Sequence, residues 1–184
     1  MYKALLTVLA LAATPVLATG IEINVKGEGA NGVIVIDLFE DVAPAHVKRI
    51  TNLAAEGKYD GVAFHRVIDG FMAQTGDVQF ANITDYDSNA AGRGGSEYPD
   101  IKAEFSEKPF VRGTVGMARS QDVNSANSQF FIMFDRGDFL NGQYTVVGEV
   151  TSGLEVLDQI KRGQSQSGAI DGAPDVMTSV VVTK

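Results

Sequence analysis

The hydrophobic pattern along the chain is mostly of the β type. Short runs rich in Val, Ile and Phe alternate with Gly, Asn and Asp, and two stretches have the apolar spacing of a helix. The predicted helices are residues 43–56 and 154–162. The predicted strands are residues 21–25, 33–39, 62–67, 71–74, 111–118, 128–134, 145–150 and 178–182. This order of elements favours an all-β barrel or sandwich.

Dipeptides with strong turn propensity separate several of the predicted strands. Asn31-Gly32 indicates a hairpin between the first two strands, and Asp69-Gly70 indicates a turn after the third. Residues 78–100 have no sustained period and are rich in Asn, Asp, Gly and Ser. They are therefore predicted to form a long surface loop, and loops of this length are usually functional or mobile.

The N-terminus has the pattern of a secretory signal. Met1-Tyr2-Lys3 precedes the apolar residues 4–18, which end in small residues suited to cleavage. An uncleaved membrane anchor is the alternative, but about 15 apolar residues fall short of the roughly 20 needed to span a bilayer. We expect residues 1–18 to be a signal peptide and residues 19–184 to be one globular domain.

Composition narrows the compartment and the partners. The chain has 184 residues, 45% of them hydrophobic, no cysteine and a formal net charge of −8. The acidic balance disfavours nucleic acid and anionic membranes, and the absence of cysteine excludes a disulfide framework. We expect a periplasmic or secreted bacterial protein, a monomer with no membrane association once the signal is removed.

Two motif-like patterns carry no predicted chemistry. The glycine-rich residues 27–32 match a nucleotide-binding pattern but open a strand instead of a helix, and residues 163–168 lack the complete nucleophile-elbow motif. His46 and His65 are the two histidines and have no cysteine partner, so a zinc site is not expected.

One cation stands out on a predicted apolar strand. Arg66 shares a strand face with Phe64, whereas His65 and Val67 lie on the opposite face. The simplest explanation is an arginine whose stem packs while its head reaches solvent. The alternative is a polar group at the edge of an apolar ligand site.

The strand at residues 128–134 is apolar on both faces. Its odd positions carry Gln129, Phe131 and Met133, and its even positions carry further hydrophobic residues. One face is expected to pack in the barrel. The other either lies under a helix or loop, or forms the floor of a binding pocket.

Three motifs together resemble the cyclophilins, and in particular their bacterial members. They are residues 64–77, residues 116–120, and residues 128–134 with 139–144, and their order and spacing agree from about Ile21 to the C-terminus. The resemblance implies an eight-stranded, closed antiparallel β-barrel capped by two α-helices. It also implies peptidyl-prolyl cis/trans isomerase, or rotamase, activity in protein folding.

The resemblance also implies roles for individual residues. Arg66 matches the catalytic arginine, and Gln74 matches the glutamine that holds it. Gly92, Gly94 and Gly95 match a glycine-rich loop beside a secondary pocket. The other implied substrate-binding residues are Phe71, Met72, Ala118, Arg119, Ser120, Gln129, Phe131, Phe139, Leu140 and Tyr144.

Several positions depart from the family pattern. Phe139 and Tyr144 stand where many eukaryotic members have Trp and His, which implies retained isomerase activity and weak cyclosporin binding. Arg119-Ser120 replaces Asn-Ala, and Asp69 and Thr75 replace Pro and Gly. These changes are expected to tune peptide preference in a direction that the sequence leaves open.

Rotation about an X-Pro bond breaks no covalent bond, and its barrier of about 18–20 kcal/mol is mainly lost amide resonance. A donor aimed at the prolyl nitrogen stabilises the twisted state selectively, so no cofactor, metal or nucleophile is required. The leading hypothesis is an isomerase acting on proline-containing polypeptides during folding or export. A proline-peptide binding module with little turnover is the alternative, and a β-barrel for a small apolar ligand is the third.

Overall fold

The computed structural model describes residues 19–184, which form a mainly β structure with two α-helices. A 3₁₀ turn, Asp138–Leu140, lies between the seventh and eighth strands. No helix in the described residues has the length and apolar content needed to cross a membrane. In chain order the elements are β1 (Gly20–Lys26), β2 (Asn31–Leu38), α1 (Pro44–Ala55), β3 (Val62–Ala63), β4 (Arg66–Ile68), β5 (Met72–Thr75), β6 (Thr114–Met117), β7 (Phe130–Met133), β8 (Val146–Ser152), α2 (Leu154–Gln159) and β9 (Val176–Thr183).

The strands form one antiparallel sheet in the order β3-β9-β1-β2-β8-β6-β7-β5-β4. Its end strands, β3 and β4, do not pair with each other, so the described sheet has nine strands and is an open half-barrel. The prediction of a mainly β fold with two helices is confirmed. The prediction of a closed barrel of eight strands is wrong.

The difference arises within the single strand that was predicted at residues 62–67. Its first part, β3, pairs with β9, and β4 pairs with β5. Phe64 and His65 lie between them and bond elsewhere: the Phe64 amide donates to the Asp175 carbonyl at 2.9 Å, and the His65 carbonyl accepts from the Ile170 amide at 3.3 Å. Because these two residues do not pair with a neighbouring strand, the predicted strand is divided in two. Its halves, β3 and β4, are the two end strands of the sheet.

The first helix agrees with its sequence prediction within a residue at each end. Pro44 occupies the first turn, where the missing amide hydrogen costs little, and Gly57 follows the helix with a positive φ of 67°. No side chain next to the helix caps it. The carboxylate of Glu104, remote in sequence, accepts from the amides of Ala45 and His46, each at 3.2 Å.

The first hairpin is confirmed, but its turn lies before the dipeptide that predicted it. Lys26 pairs with Asn31, so Asn31-Gly32 belongs to β2 and residues 27–30 form the turn. The buried carboxylate of Asp175 accepts from the amides of Gly29 and Ala30 at 3.0 and 3.2 Å. This tertiary contact satisfies the turn backbone and so moves the turn.

The buried hydrophobic residues form two clusters. The larger is the core between the sheet and the helices. The smaller consists of Met72, Phe110, Phe131, Met133, Leu140 and Val146. Successive side chains of β7 point to opposite faces, so the strand contributes to both clusters. Phe130 and Ile132 belong to the core, and Phe131 and Met133 belong to the smaller cluster.

Candidate active site

A pocket of about 260 Å³ opens above the smaller hydrophobic cluster. Concave apolar surfaces with a few polar groups at the edge are typical ligand sites. This pocket is lined by Arg66, Phe71, Met72, Gln74, Ala118, Arg119, Phe131, Phe139, Leu140 and Tyr144. The structure therefore brings together residues of three sequence motifs in one pocket.

The polar edge of the pocket is a chain of hydrogen bonds across β4, β5 and the start of β7. Arg66 lies opposite Gln74 in the β4–β5 register, and Arg66 Nη1 donates to Gln74 Oε1 at 3.0 Å. Gln74 Nε2 donates to Gln129 Oε1 at 2.9 Å, and Gln129 Nε2 donates to the Gly94 carbonyl at 2.7 Å. Each amide is thereby oriented by its neighbours, and the chain ends on the glycine-rich loop.

A residue near the C-terminus also holds the Arg66 side chain. Arg66 Nε donates to the backbone carbonyl of Ser167 at 2.9 Å. Residues 163–168 carry no predicted chemistry, and no pattern of residue types could reveal this contact, since every residue has a backbone carbonyl. Within residues 19–184, Arg66 Nη2 has no hydrogen-bond acceptor, so its two N–H groups remain available to a ligand.

The pocket lining carries two cations, Arg66 and Arg119, and neither guanidinium titrates near neutral pH. Burial lowers the pKa of Arg66 and the nearby Tyr144 opposes that shift, but a guanidinium stays protonated at any working pH. Burial also lowers the pKa of His65 to about 4, against a weaker opposing effect of Asp77. His65 is therefore neutral at pH 7, and its ring nitrogens have no hydrogen-bond partner in the described residues.

The floor of the pocket is Phe131, which is only 5% exposed. Its ring stacks on Phe110 at a centroid distance of 5.7 Å and meets Tyr144 edge-on at 5.8 Å. A Cβ on Gly116 would lie 2.6 Å from ring carbons of both Phe110 and Phe131, so a side chain there would force these rings to move. Neither Phe110 nor Gly116 lines the pocket, so their supporting roles were not predictable from the motifs, although Gly116 belongs to one of them.

The rim of the pocket carries an unusually exposed aromatic residue. Phe139, in the 3₁₀ turn, is 69% exposed, and its ring lies 5.5 Å from that of Phe71. Leu140 follows it and is buried in the smaller cluster. The turn thus places one apolar side chain at the mouth of the pocket and the next in its wall.

Arg119 lies in the wall of the pocket and packs against Tyr144. Its guanidinium carbon lies 4.4 Å from the centroid of the Tyr144 ring, a cation–π distance. Its Nη2 donates to the Gln143 carbonyl at 3.0 Å, and its Nη1 donates to the Ser120 carbonyl at 2.8 Å. Arg119 therefore positions Tyr144 as well as lining the pocket.

Ser120 and Gln129, also predicted to bind substrate, do not line this pocket. They line an adjoining cavity of about 370 Å³ together with Gly92 and Gly94. The two cavities share Ala118 and Arg119 as a common wall. Gly95 lies outside both, in a cavity beside α1.

Comparison with known proteins identifies the family. The family model for cyclophilin type peptidyl-prolyl cis-trans isomerases matches residues 21–182. A probable peptidyl-prolyl cis-trans isomerase of Brucella suis is 58% identical over 153 residues, which cover 82% of this chain and 78% of that protein.

Solved structures show the same fold. A cyclophilin from Hirschia baltica superposes with a TM-score of 0.70 at 25% identity, covering 88% of this chain and 73% of that one. A Cryptosporidium parvum cyclophilin type peptidyl-prolyl cis-trans isomerase, crystallised in the presence of the dipeptide Ala-Pro, gives 0.73 at 27% identity, covering 90% and 99%. The chain belongs to the cyclophilin-type peptidyl-prolyl isomerase family. It is a peptidyl-prolyl cis-trans isomerase.

Proposed function

We propose that Arg66 is the catalytic residue and that the 260 Å³ pocket seats the proline ring of the substrate. The observation that carries this proposal is the constrained guanidinium beside an apolar pocket. Nε and Nη1 are held by Ser167 and Gln74, while Nη2 has no acceptor among residues 19–184. The Ala-Pro dipeptide present with the Cryptosporidium parvum relative is consistent with a ligand of this type.

The chemistry follows from amide resonance. As the C–N bond of an X-Pro amide twists, its nitrogen regains a localised lone pair and becomes a hydrogen-bond acceptor. A guanidinium N–H aimed at that nitrogen binds the twisted state more strongly than either planar isomer. The apolar wall fixes the ring, so that rotation is confined to the acyl side of the bond. Gln74 holds Arg66 in position and has no chemical step of its own.

Two substitutions of Arg66 test this mechanism. Arg66→Lys keeps the charge but loses the rigid fork, and Arg66→Ala loses the donor as well. Both should lower kcat/KM by about 10²–10³, the usual cost of removing a preorganised donor. NMR exchange spectroscopy on a proline peptide measures turnover and binding in one sample, and circular dichroism checks the fold. Unchanged exchange in folded Arg66→Ala would refute the mechanism.

The same experiment separates the isomerase from a binding module that holds proline segments without turnover. A binding module would shift the resonances of Phe71 and Phe131 on peptide addition but would not accelerate exchange. Arg66 favours the enzyme, because a binding module has less need of a donor at the prolyl nitrogen.

No step of the proposed mechanism uses a group that titrates near neutral pH. Arg66 stays protonated, and His65, with its pKa lowered to about 4, stays neutral. We therefore expect kcat/KM to change by less than about twofold between about pH 5.5 and 8.5. A bell-shaped profile in that range, measured on one peptide at constant ionic strength, would contradict the proposal.

We also propose that the enzyme acts on exported proteins in a bacterial periplasm or outside the cell. The support is the signal-like pattern of residues 1–18, which lie outside the described residues. Mass spectrometry of the chain from fractionated bacteria tests this, since an uncleaved chain confined to the cytosol would refute it. The monomeric state and weak cyclosporin binding stay predictions.

A further inference from the structure

The groove around the proposed proline pocket is positively charged, although the chain has a formal net charge of −8. Arg66 and Arg119 line the 260 Å³ pocket, and Arg93 and Arg119 line the adjoining 370 Å³ cavity. A third cavity of about 220 Å³ lies on the other side of Arg66 and is lined by Arg66 and Arg93. No carboxylate in the described residues lines any of the three.

The three cavities form one continuous groove. Ala118 and Arg119 are common to the first two, and Gly92 and Arg93 are common to the second and third. A peptide whose proline occupies the first cavity can therefore place its neighbouring residues in the other two. An extended peptide advances about 3.3 Å per residue, so residues within about three positions of the proline are in reach.

The charges of Arg93 and Arg119 are not neutralised by nearby carboxylates. Arg93 is exposed, and its guanidinium makes no hydrogen bond or ion pair within residues 19–184. Arg119 donates to the carbonyls of Ser120 and Gln143, which are neutral acceptors that orient the guanidinium without cancelling its charge. Neither charge is compensated, although Arg93 is the more accessible of the two, since Arg119 also donates to the Gln121 carbonyl and lies over the Tyr144 ring.

Carboxylates flank the groove without lining it. The exposed Asp87 and Asp122 lie beside lining residues in the sequence, and each accepts a backbone amide, of Asn89 and Asn124, at 2.9 Å. Asp77 is fully buried and accepts four backbone amides, including those of Gly92 and Gly94. Asp100 accepts from Asn127 Nδ2 at 2.9 Å, behind the cavity wall. These acids hold the loop and the wall in place, and the lining that a peptide meets is cationic.

We propose that this groove selects substrates with an acidic side chain within about three residues of the proline, bound by Arg93 and Arg119. The inference rests on the proposed function, because the proline must occupy the pocket beside Arg66. Exposed arginine–carboxylate pairs are individually weak, so the two together should favour Glu over Gln by about three- to tenfold in kcat/KM. The preference should fall towards unity as salt is raised, since these charges are near solvent.

Matched proline peptides test the inference on the full chain. Each carries Glu, Gln or Lys at one of the three positions before or the three positions after a single proline. A Glu placed well beyond those positions reports the effect of overall charge. Arg93→Gln should at least halve the ratio of Glu-peptide to Gln-peptide turnover, and Arg93→Glu should favour the Lys peptide. Lys26→Gln is the control for charge, because Lys26 is exposed on β1, which β2 and β8 separate from β6.

The outcomes separate this inference from the proposed function. Equal turnover of Glu and Gln peptides at all positions at low salt, or a Glu preference that survives in Arg93→Gln, would overturn the inference and leave the isomerase mechanism intact. A chain that isomerises none of the peptides would overturn the mechanism. In that case NMR titration would compare the affinities of the same peptides. Equal affinity for the Glu and Gln peptides would refute acid selection even though no turnover is measured.

Discussion

Acidification should destabilise the protein through His65. The side chain is 4% exposed, and neither ring nitrogen has a hydrogen-bond partner in the described residues. A Cβ on Gly92 would lie only 3.2 Å from the edge of the ring, which shows how closely the glycine-rich loop packs there. Protonation would place a second N–H and a full charge in this enclosed space, and that is the physical cause of the lowered pKa.

The magnitude follows from linkage. The pKa of His65 is about 4 in the folded chain against an ordinary value of 6.5. Between these two values the unfolded chain binds more protons than the folded chain, so the free energy of unfolding falls as the pH falls from about 6.5 to about 4. The loss between about pH 7.5 and pH 4.5 is about 2–3 kcal/mol, at 1.36 kcal/mol for each pKa unit.

Comparison of the wild type with His65→Phe isolates this contribution. Phe has a similar shape and removes two unpartnered nitrogens, so the variant should be within about 1 kcal/mol of the wild type at neutral pH. Near pH 4.5 it should be the more stable chain by about 2–3 kcal/mol. Urea unfolding at both pH values measures the difference, and other titrating groups, including His46, cancel at each pH.

An equal difference between the two chains at both pH values would refute the reasoning. So would an imidazole titration by NMR that gives His65 an ordinary pKa. His46 serves as the internal comparison, since it is also buried but its Nδ1 lies 2.6 Å from Glu104 Oε2. Burial lowers the pKa of His46 and that carboxylate opposes the shift, so the two histidines differ in having a carboxylate at hydrogen-bond distance.

Two further substitutions test the supports of the site. Gly116→Ala places a methyl group against Phe131 and should cost about 1–3 kcal/mol in urea unfolding, with kcat/KM reduced because the pocket floor is displaced. Unchanged stability and activity would contradict the tight packing. Asp77→Asn replaces one carboxylate oxygen, which accepts backbone amides, with an NH₂ group that can only donate. The free energy of unfolding should fall by about 3 kcal/mol or more, and the amide hydrogens of residues 78–95 should exchange faster. Exchange that quickens equally throughout the chain would contradict a local anchoring role.

Much of the β architecture was predictable from local pattern. Alternation along residues 21–25, 33–39 and 128–134 predicted strands that the structure contains, with ends that differ by one or two residues. Local geometry decides such elements, because side chains two apart share a face whatever the strand pairs with. The pattern also placed Arg66 opposite the face of His65, and the structure puts only Arg66 in the pocket that contains Phe131.

Pairing partners were not predictable in the same way. Residues 62–67 have the continuous apolar character of one strand, yet they divide into β3 and β4 because each half pairs with a different neighbour. The hairpin turn moved to residues 27–30 because Asp175, remote in sequence, accepts its amides. β4 pairs with a strand close in sequence, but β9, the partner of β3, and Asp175 both lie more than a hundred residues away from the residues they contact.

The sequence by itself determined which residue types could form this site: an arginine and two amides with apolar side chains at the spacing of three motifs. Only the tertiary structure decided that Arg66 is held by the carbonyl of Ser167, that Gly116 makes room for the ring of Phe131, and that Arg93 and Arg119 border one groove. The physical reason is that side-chain identity and strand alternation are local properties. A backbone acceptor, a close approach or a shared cavity wall exists only once distant segments have packed together.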